Sequence, residues 1–117
     1  MKTFNRATGR ATEDIAAQTL QDKGYTILER NFSNRFGEID IIAQDHDTLV
    51  FVEVKAKTGI DYGLPEEMIN PGKLARIRNM ATVYLNGKSV PCRIDVVAIV
   101  LGENNEVIRL THYENVT

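Results

Sequence analysis

The stretch GEIDIIAQDHDTLVFVEVK, Gly37 to Lys55, constrains the fold more than any other part of the chain. Two runs with apolar residues at alternating positions flank a polar DHDT, which is the pattern of a β-hairpin. With His46 and Asp47 as the loop, Asp40 faces Glu53, Glu38 faces Lys55 and Ile42 faces Phe51; a loop of Asp45–Thr48 gives the same pairing. Period-two alternation puts these six residues on one face of the sheet. The other face carries Ile39, Ile41, Ala43, Val50, Val52 and Val54, all apolar and expected in the core. Because Ile42, Leu49 and Phe51 share the charged face, part of that face must be covered as well. Two carboxylates are therefore opposed in a setting that is not fully aqueous. At an effective dielectric near 20, like charges 4 Å apart cost about 4 kcal/mol. Either the pair is solvated, with Glu38–Lys55 as a surface ion pair, or it awaits a hard divalent cation, which prefers carboxylate oxygens.

The surrounding elements follow from punctuation and periodicity. A first helix is expected from Thr8 or Thr12 to Lys23, stopped by Gly24, and a short strand near Tyr25–Asn31. After the hairpin, TGIDYGLPEE reads as a Gly- and Pro-marked loop. A second helix begins with Asn70 as N-cap and Pro71 as first residue, and ends before Gly87. Its apolar residues Leu74, Ile77, Ala81, Tyr84 and Leu85 follow helical spacing. RIDVVAIV then reads as a buried strand and EVIRLTHY as an amphipathic last one. The order is α-β-β-β-α-β-β, an α/β fold with a mixed central β-sheet flanked by helices and the second helix as crossover.

Length and composition set the class. The 117 residues suit one domain, residues 1–117, and 43% hydrophobic content suits a packed core. No apolar run approaches the roughly 18 residues of a membrane span. The opening MKTFNRATGRATEDIAAQ lacks the apolar stretch of a signal peptide. Cys92 is the single cysteine, and His46 and His112 fall in no metal-ligand spacing. A cytoplasmic protein with no membrane partner is expected. The net charge of −2 conceals an asymmetry: residues 55–93 hold seven basic side chains against three acidic ones. That basic stretch, with Lys55, Lys57, Lys73 and Arg76, is either a solvated surface or a phosphate-binding patch.

A third acid belongs with the hairpin pair. At 100° per residue Glu13 lies on the arc of Ala16, Ala17 and Leu20, the packing face of the first helix, while Asp14 points away with Gln18 and Asp22. Either this carboxylate snorkels out from the edge of the core, or it is buried and needs a partner, for which a metal-bound water or Lys55 would serve. Asp95 shares its strand face with Val97, Ile99 and Leu101, and Arg93 is its expected partner. Lys73 falls in the first turn of the second helix, where its charge opposes the helix dipole, a hint of a phosphate contact.

The set Glu13, Asp40, Glu53 and Lys55, in GEIDIIA followed by FVEVKAK, resembles the PD-(D/E)xK nuclease superfamily. More closely, the chain is similar to the YraN-type family of uncharacterised bacterial proteins, which resemble archaeal Holliday junction resolvases. The likeness runs from GRATEDIAAQTLQDKGY to KLARIRNMATVYL and RIDVVAIV and so covers most of the chain. It implies a restriction-endonuclease-like fold and a metal-dependent endonuclease. Asp40 and Glu53 would bind Mg2+ or Mn2+, with the backbone carbonyl of Val54; Lys55 would position the attacking water; Glu13 would complete the site. Lys57, Lys73 and Arg76 would meet the nucleic acid. Ile39 stands where the superfamily has Pro, and Ala56–Lys57 replaces an expected Thr-Arg; neither change removes a ligand. The expected activity is Mg2+-dependent hydrolysis of phosphodiesters in DNA, including branched DNA such as Holliday junctions, and a junction substrate would call for a symmetric homodimer. The alternative is a nucleic-acid-binding or interaction module that keeps this fold without catalysis, and a third reading is a structural metal site with no nucleic-acid partner.

Overall fold

The alternating run is a two-residue hairpin with His46 in the left-handed region (φ 56). Its strands are β2 (Gly37–Asp45) and β3 (Thr48–Thr58), paired from Asp45↔Thr48 to Ile41↔Val52 in the expected register. A computed structural model describes residues 6–59 and 63–116, so residues 60–62 of the expected Gly- and Pro-marked loop lie outside the described residues. Helix α1 (Arg6–Asp22) and strand β1 (Thr26–Asn34) precede the hairpin; α2 (Pro71–Leu85), β4 (Cys92–Leu101) and β5 (Val107–Tyr113) follow it. A 3-10 turn over Pro65–Met68 leads into α2. The α-β-β-β-α-β-β order is the one expected.

The five strands lie in the order β1-β2-β3-β4-β5, and α2 is the crossover that lets β4 run parallel to β3. All other neighbours are antiparallel, so the sheet is mixed. Both helix ends obey their local chemistry. Gly24 takes φ 95 after α1, and the Tyr25 N–H reaches back to the Leu20 carbonyl at 3.0 Å while the Gly24 N–H reaches Gln21. This double bond pattern closes a helix with a left-handed glycine. At α2, Asn70 Oδ1 accepts from the Lys73 N–H at 3.0 Å, Pro71 fills the first position and Asn86 ends the helix at φ 49.

The core has two halves, one on each side of the sheet. Ala16, Ala17 and Leu20 of α1 pack on Ile41, Ala43, Val50, Val52, Val97, Ile99 and Leu101. Ile77, Met80 and Ala81 of α2 pack on Ile42, Phe51 and Ile94, with Tyr84 edge-on to Phe32 and Phe51 at 5.3 and 5.9 Å. Met80, which lies off the expected arc, is fully buried, whereas Leu74 and Tyr84 are only half-buried.

Two hairpin expectations need correction. Ile39 does not stay with Ile41 but joins Ile42 and Phe51 on the α2 side. The alternation breaks beside Asn31, which lies across from Asp40 and adopts φ 55, while the pairs on either side, Arg30↔Ile41 and Phe32↔Ile39, keep one register; the register shift of β1 lies earlier, between Ile27 and Glu29. The second correction follows: Glu38 does not meet Lys55, whose ion pair is with Glu53 at 3.7 Å.

Candidate metal centre

The site forms where β2 and β3 stop pairing. Beyond Ile41↔Val52 the ladder bond is taken over by a side chain: the Val54 N–H donates to Asp40 Oδ2 at 2.8 Å. Asp40 thereby replaces a backbone acceptor, and its carboxylate is fixed against β3. This brings it to Glu53, as the hairpin register requires, and the two carboxyl groups share a hydrogen bond. Val54, expected to contribute its carbonyl, is tied to the site through its N–H.

α1 supplies the next acid. Glu13 reaches the hairpin from the α1 side, and one carboxylate oxygen each of Glu13, Glu38 and Asp40 lie within 4.8 Å of one another. Glu13 and Asp40 thus meet Glu38, and Glu53 adjoins this group through Asp40. Asn31, opposite Asp40, joins them. With its amide nitrogen turned toward the acids it donates to Glu13 Oε1 at 2.9 Å and Glu38 Oε1 at 2.8 Å. The sequence signal for Asn31 was slight, since asparagine is merely one of the few residues at ease with a positive φ.

The electrostatics of this cluster are strained. Burial, then the bond and charge of Asp40, push the Glu53 carboxyl up to about 8, against the pull of Lys55 and Lys73. Burial and the charges of Asp40 and Glu38 likewise raise Glu13 above the usual carboxylate range. Beside the acids the cations are crowded too. Lys73, from the first turn of α2, abuts Lys55, and that contact together with burial holds its ammonium below the ordinary lysine value. Arg76 lies one turn further along α2, over Gly37, where a Cβ would come within 3.1 Å of Arg76 Cδ. Gly37, at φ 145, thus lets α2 approach the start of β2. Lys57 sits two residues beyond Lys55 on β3, opposite Val100.

The donor set fits a hard divalent cation. All donors are carboxylate oxygens, they come from three different elements, and burial followed by mutual repulsion raises Glu53 and Glu13 more than the nearby cations lower them. Were a divalent cation to bind, Glu13, Glu38 and Asp40 are the carboxylates close enough together to share it, with Glu53 beside Asp40.

Elsewhere, among the described residues, no helix is long and apolar enough to cross a membrane. A second polar cluster surrounds Asp95, and there the expected Arg93 partner is found at 3.0 Å.

Residues 12–99 match the profile of Uncharacterised protein family UPF0102, a span that includes Glu13, Glu38, Asp40, Glu53, Lys55 and Lys73. The chain is 46% identical over 110 residues to a UPF0102 protein of Pelotomaculum thermopropionicum, covering 92% of each chain. A UPF0102 protein of Syntrophus aciditrophicus is 49% identical over 102 residues, covering 85% of this chain and 80% of its own. One from Dictyoglomus turgidum is 37% identical over 114 residues, covering 95% and 97%. With a family profile spanning most of its length and relatives matched nearly end to end, the chain belongs to the UPF0102 family, the YraN-type proteins.

Proposed function

We propose that the protein is a divalent-cation-dependent endonuclease hydrolysing phosphodiester bonds in nucleic acid, DNA in particular. The observation that carries this reading is a double frustration within one small site. Burial and then Asp40 raise the Glu53 carboxyl, while the Lys55 contact and burial hold the Lys73 ammonium below its ordinary value. A cation relieves the first and a phosphate relieves the second. A phosphodiester bound beside a divalent ion does both at once.

In this reading Asp40, Glu53 and Glu13 hold the ion and Lys73 and Arg76 draw the phosphate backbone, with Lys57 extending the basic track along β3. Bound Mg2+ or Mn2+ supplies Lewis acidity at the phosphate and eases deprotonation of water. Lys55, its Nζ 3.7 Å from Glu53 Oε1 and mostly buried, orients the attacking water and offsets charge developing on the phosphate oxygens. Water adds to phosphorus, the P–O ester bond breaks, and the leaving oxygen takes up a proton.

The test is incubation of the purified protein with four-way junction, flapped and linear DNA, with Mg2+, Mn2+ or chelator. Cation-dependent cutting is expected, and it falls by about a hundredfold or more in Asp40→Asn and Lys55→Ala while DNA binding persists. Cutting that survives equally in both variants overturns the assignment. Binding of junctions without cutting of any substrate would instead identify a nucleic-acid-binding module that keeps the fold. If a junction is the substrate, the active species is a symmetric dimer, because two strands must be cut.

A further inference from the structure

We infer that Asn31 is a positioning residue for the cation, presetting the Glu13 and Glu38 carboxylates beside Asp40 and making Glu38 part of the ion's surroundings. The inference rests on the cation reading above and extends it to two residues outside the expected set.

Asn31 lies between the pairs Arg30↔Ile41 and Phe32↔Ile39, directly across from Asp40, with its backbone at φ 55. That conformation has an effect beyond the strand. Its amide nitrogen spans two carboxylates from different elements, Glu13 of α1 at 2.9 Å and Glu38 of β2 at 2.8 Å. An amide nitrogen carries two hydrogens, so both bonds are made by one group.

The chemistry of that group matters. A lysine or arginine in the same place would bind both acids by cancelling their charge, and would compete with a metal ion. A neutral amide fixes the two carboxylates and leaves their charge intact. Each bond engages Oε1 alone, so the second oxygen of each acid stays available. Asp40, whose oxygen lies within 4.8 Å of those of Glu13 and Glu38, also contacts Glu53, and so joins the two halves of the acidic cluster. A donor behind metal-binding carboxylates typically accounts for a 10- to 100-fold difference in metal affinity.

The experiment is Mn2+ binding to the full chain, followed by calorimetric titration and by the electron paramagnetic resonance of the bound ion. Asn31→Gly keeps the left-handed backbone and removes the amide, whereas Asn31→Ala removes the amide and strains the backbone. Glu38→Gln and Asp40→Asn complete the set, with each unfolding midpoint measured in chelator. Asn31→Gly is expected to keep the wild-type midpoint and to bind Mn2+ about 10- to 100-fold more weakly, with Glu38→Gln weakened to a similar degree and the resonance of the bound ion altered. Wild-type Mn2+ affinity in Asn31→Gly, with loss confined to Asn31→Ala, overturns the inference and leaves Asn31 a backbone role only. If Asp40→Asn loses Mn2+ while Asn31→Gly and Glu38→Gln retain it, the inference falls and the cation site stands. If the wild-type chain takes up no Mn2+, both fall together.

Discussion

Among the described residues, the clusters around Asp95 and around Asp40 and Glu53 both bury carboxylates, and they treat them in opposite ways. Asp95 on β4 is fully buried, yet Arg93 Nε donates to it at 3.0 Å, the Asn115 N–H at 2.9 Å and His112 Nε2 at 2.8 Å. Lys23 Nζ lies 2.8 Å from His112 Nδ1, and since an ammonium only donates, Nδ1 is the acceptor and Nε2 carries the hydrogen facing Asp95. Arg93 reaches on to Asp45 and Glu114, and to the Tyr25 hydroxyl at 2.6 Å. Burial alone would raise Asp95, but these donors hold it below the usual carboxylate range. Around Asp40 and Glu53 the opposite holds: like charges meet, the Lys55 ion pair with Glu53 is long at 3.7 Å, and burial followed by Asp40 pushes the Glu53 carboxyl up to about 8 despite Lys55 and Lys73. The same sheet, one residue apart in register at Val52↔Asp95 and Glu53↔Val96, thus shows that this chain can satisfy a buried acid completely. That the hairpin acids are left short of positive charge is a property of that site and not of the fold, and it is what a cation-binding centre requires.

This contrast breaks most readily at Asp95. Asp95→Ala leaves Arg93 and His112 facing a buried gap, with an expected cost of about 3–5 kcal/mol, read by denaturant titration. A loss below about 1 kcal/mol would mean that its donors contribute no more than a surface ion pair. At the hairpin the opposite sign is expected. Glu53→Gln removes the repulsion, so in chelator at pH 8 the variant should be about 1–2 kcal/mol more stable than wild type, well below the 4 kcal/mol of two unshared charges. A destabilised Glu53→Gln would show that the pair is already compensated.

A smaller effect sharpens the comparison through pH. Between its ordinary 4.5 and about 8, folded Glu53 keeps a proton that the unfolded chain releases. Cation-free protein therefore loses stability as pH rises through that window, by at most about 1.4 kcal/mol per unit. Asp95 acts in the other direction, its contribution being whole above 3.8 and lost as the pH falls below that toward the depressed value. Unfolding midpoints across pH 5–8 should therefore decline in chelator, and the decline should shrink with saturating Mn2+ and in Glu53→Gln. A flat profile in chelator would remove the proposed frustration.

Much of this arrangement was legible in the chain. Alternation fixed the hairpin and its register because side-chain direction in a strand depends only on parity, and Asp40 does reach Glu53. Asn70, Pro71 and Gly24 announced helix ends because their backbone chemistry is local. Glu13 was found from its arc because helical spacing is equally local. What escaped shares one origin, since each piece depends on a residue from another element. Ile39 and Glu38 leave the expected faces beside Asn31, whose backbone at φ 55 is a feature of β1 that the pattern of β2 cannot register. Arg93 was identified as the partner of Asp95 from two residues away, but His112 comes from the adjacent strand, where Val97↔His112 are paired.

The sequence by itself therefore determined the elements, their order, the hairpin pairing, and the placing of Asp40, Glu53 and Lys55 on the hairpin and Glu13 on the packing side of α1. These follow from period, caps and like charges, all of which act within a few residues. Only the tertiary structure decided which acids stay short of positive charge, since that depends on what α1, β1 and α2 bring to the hairpin. It added Glu38 and Asn31, set Lys73 beside Lys55 and ended the ladder at Asp40. The free energy of a buried charge is fixed by neighbours in space, and those neighbours are distant in sequence.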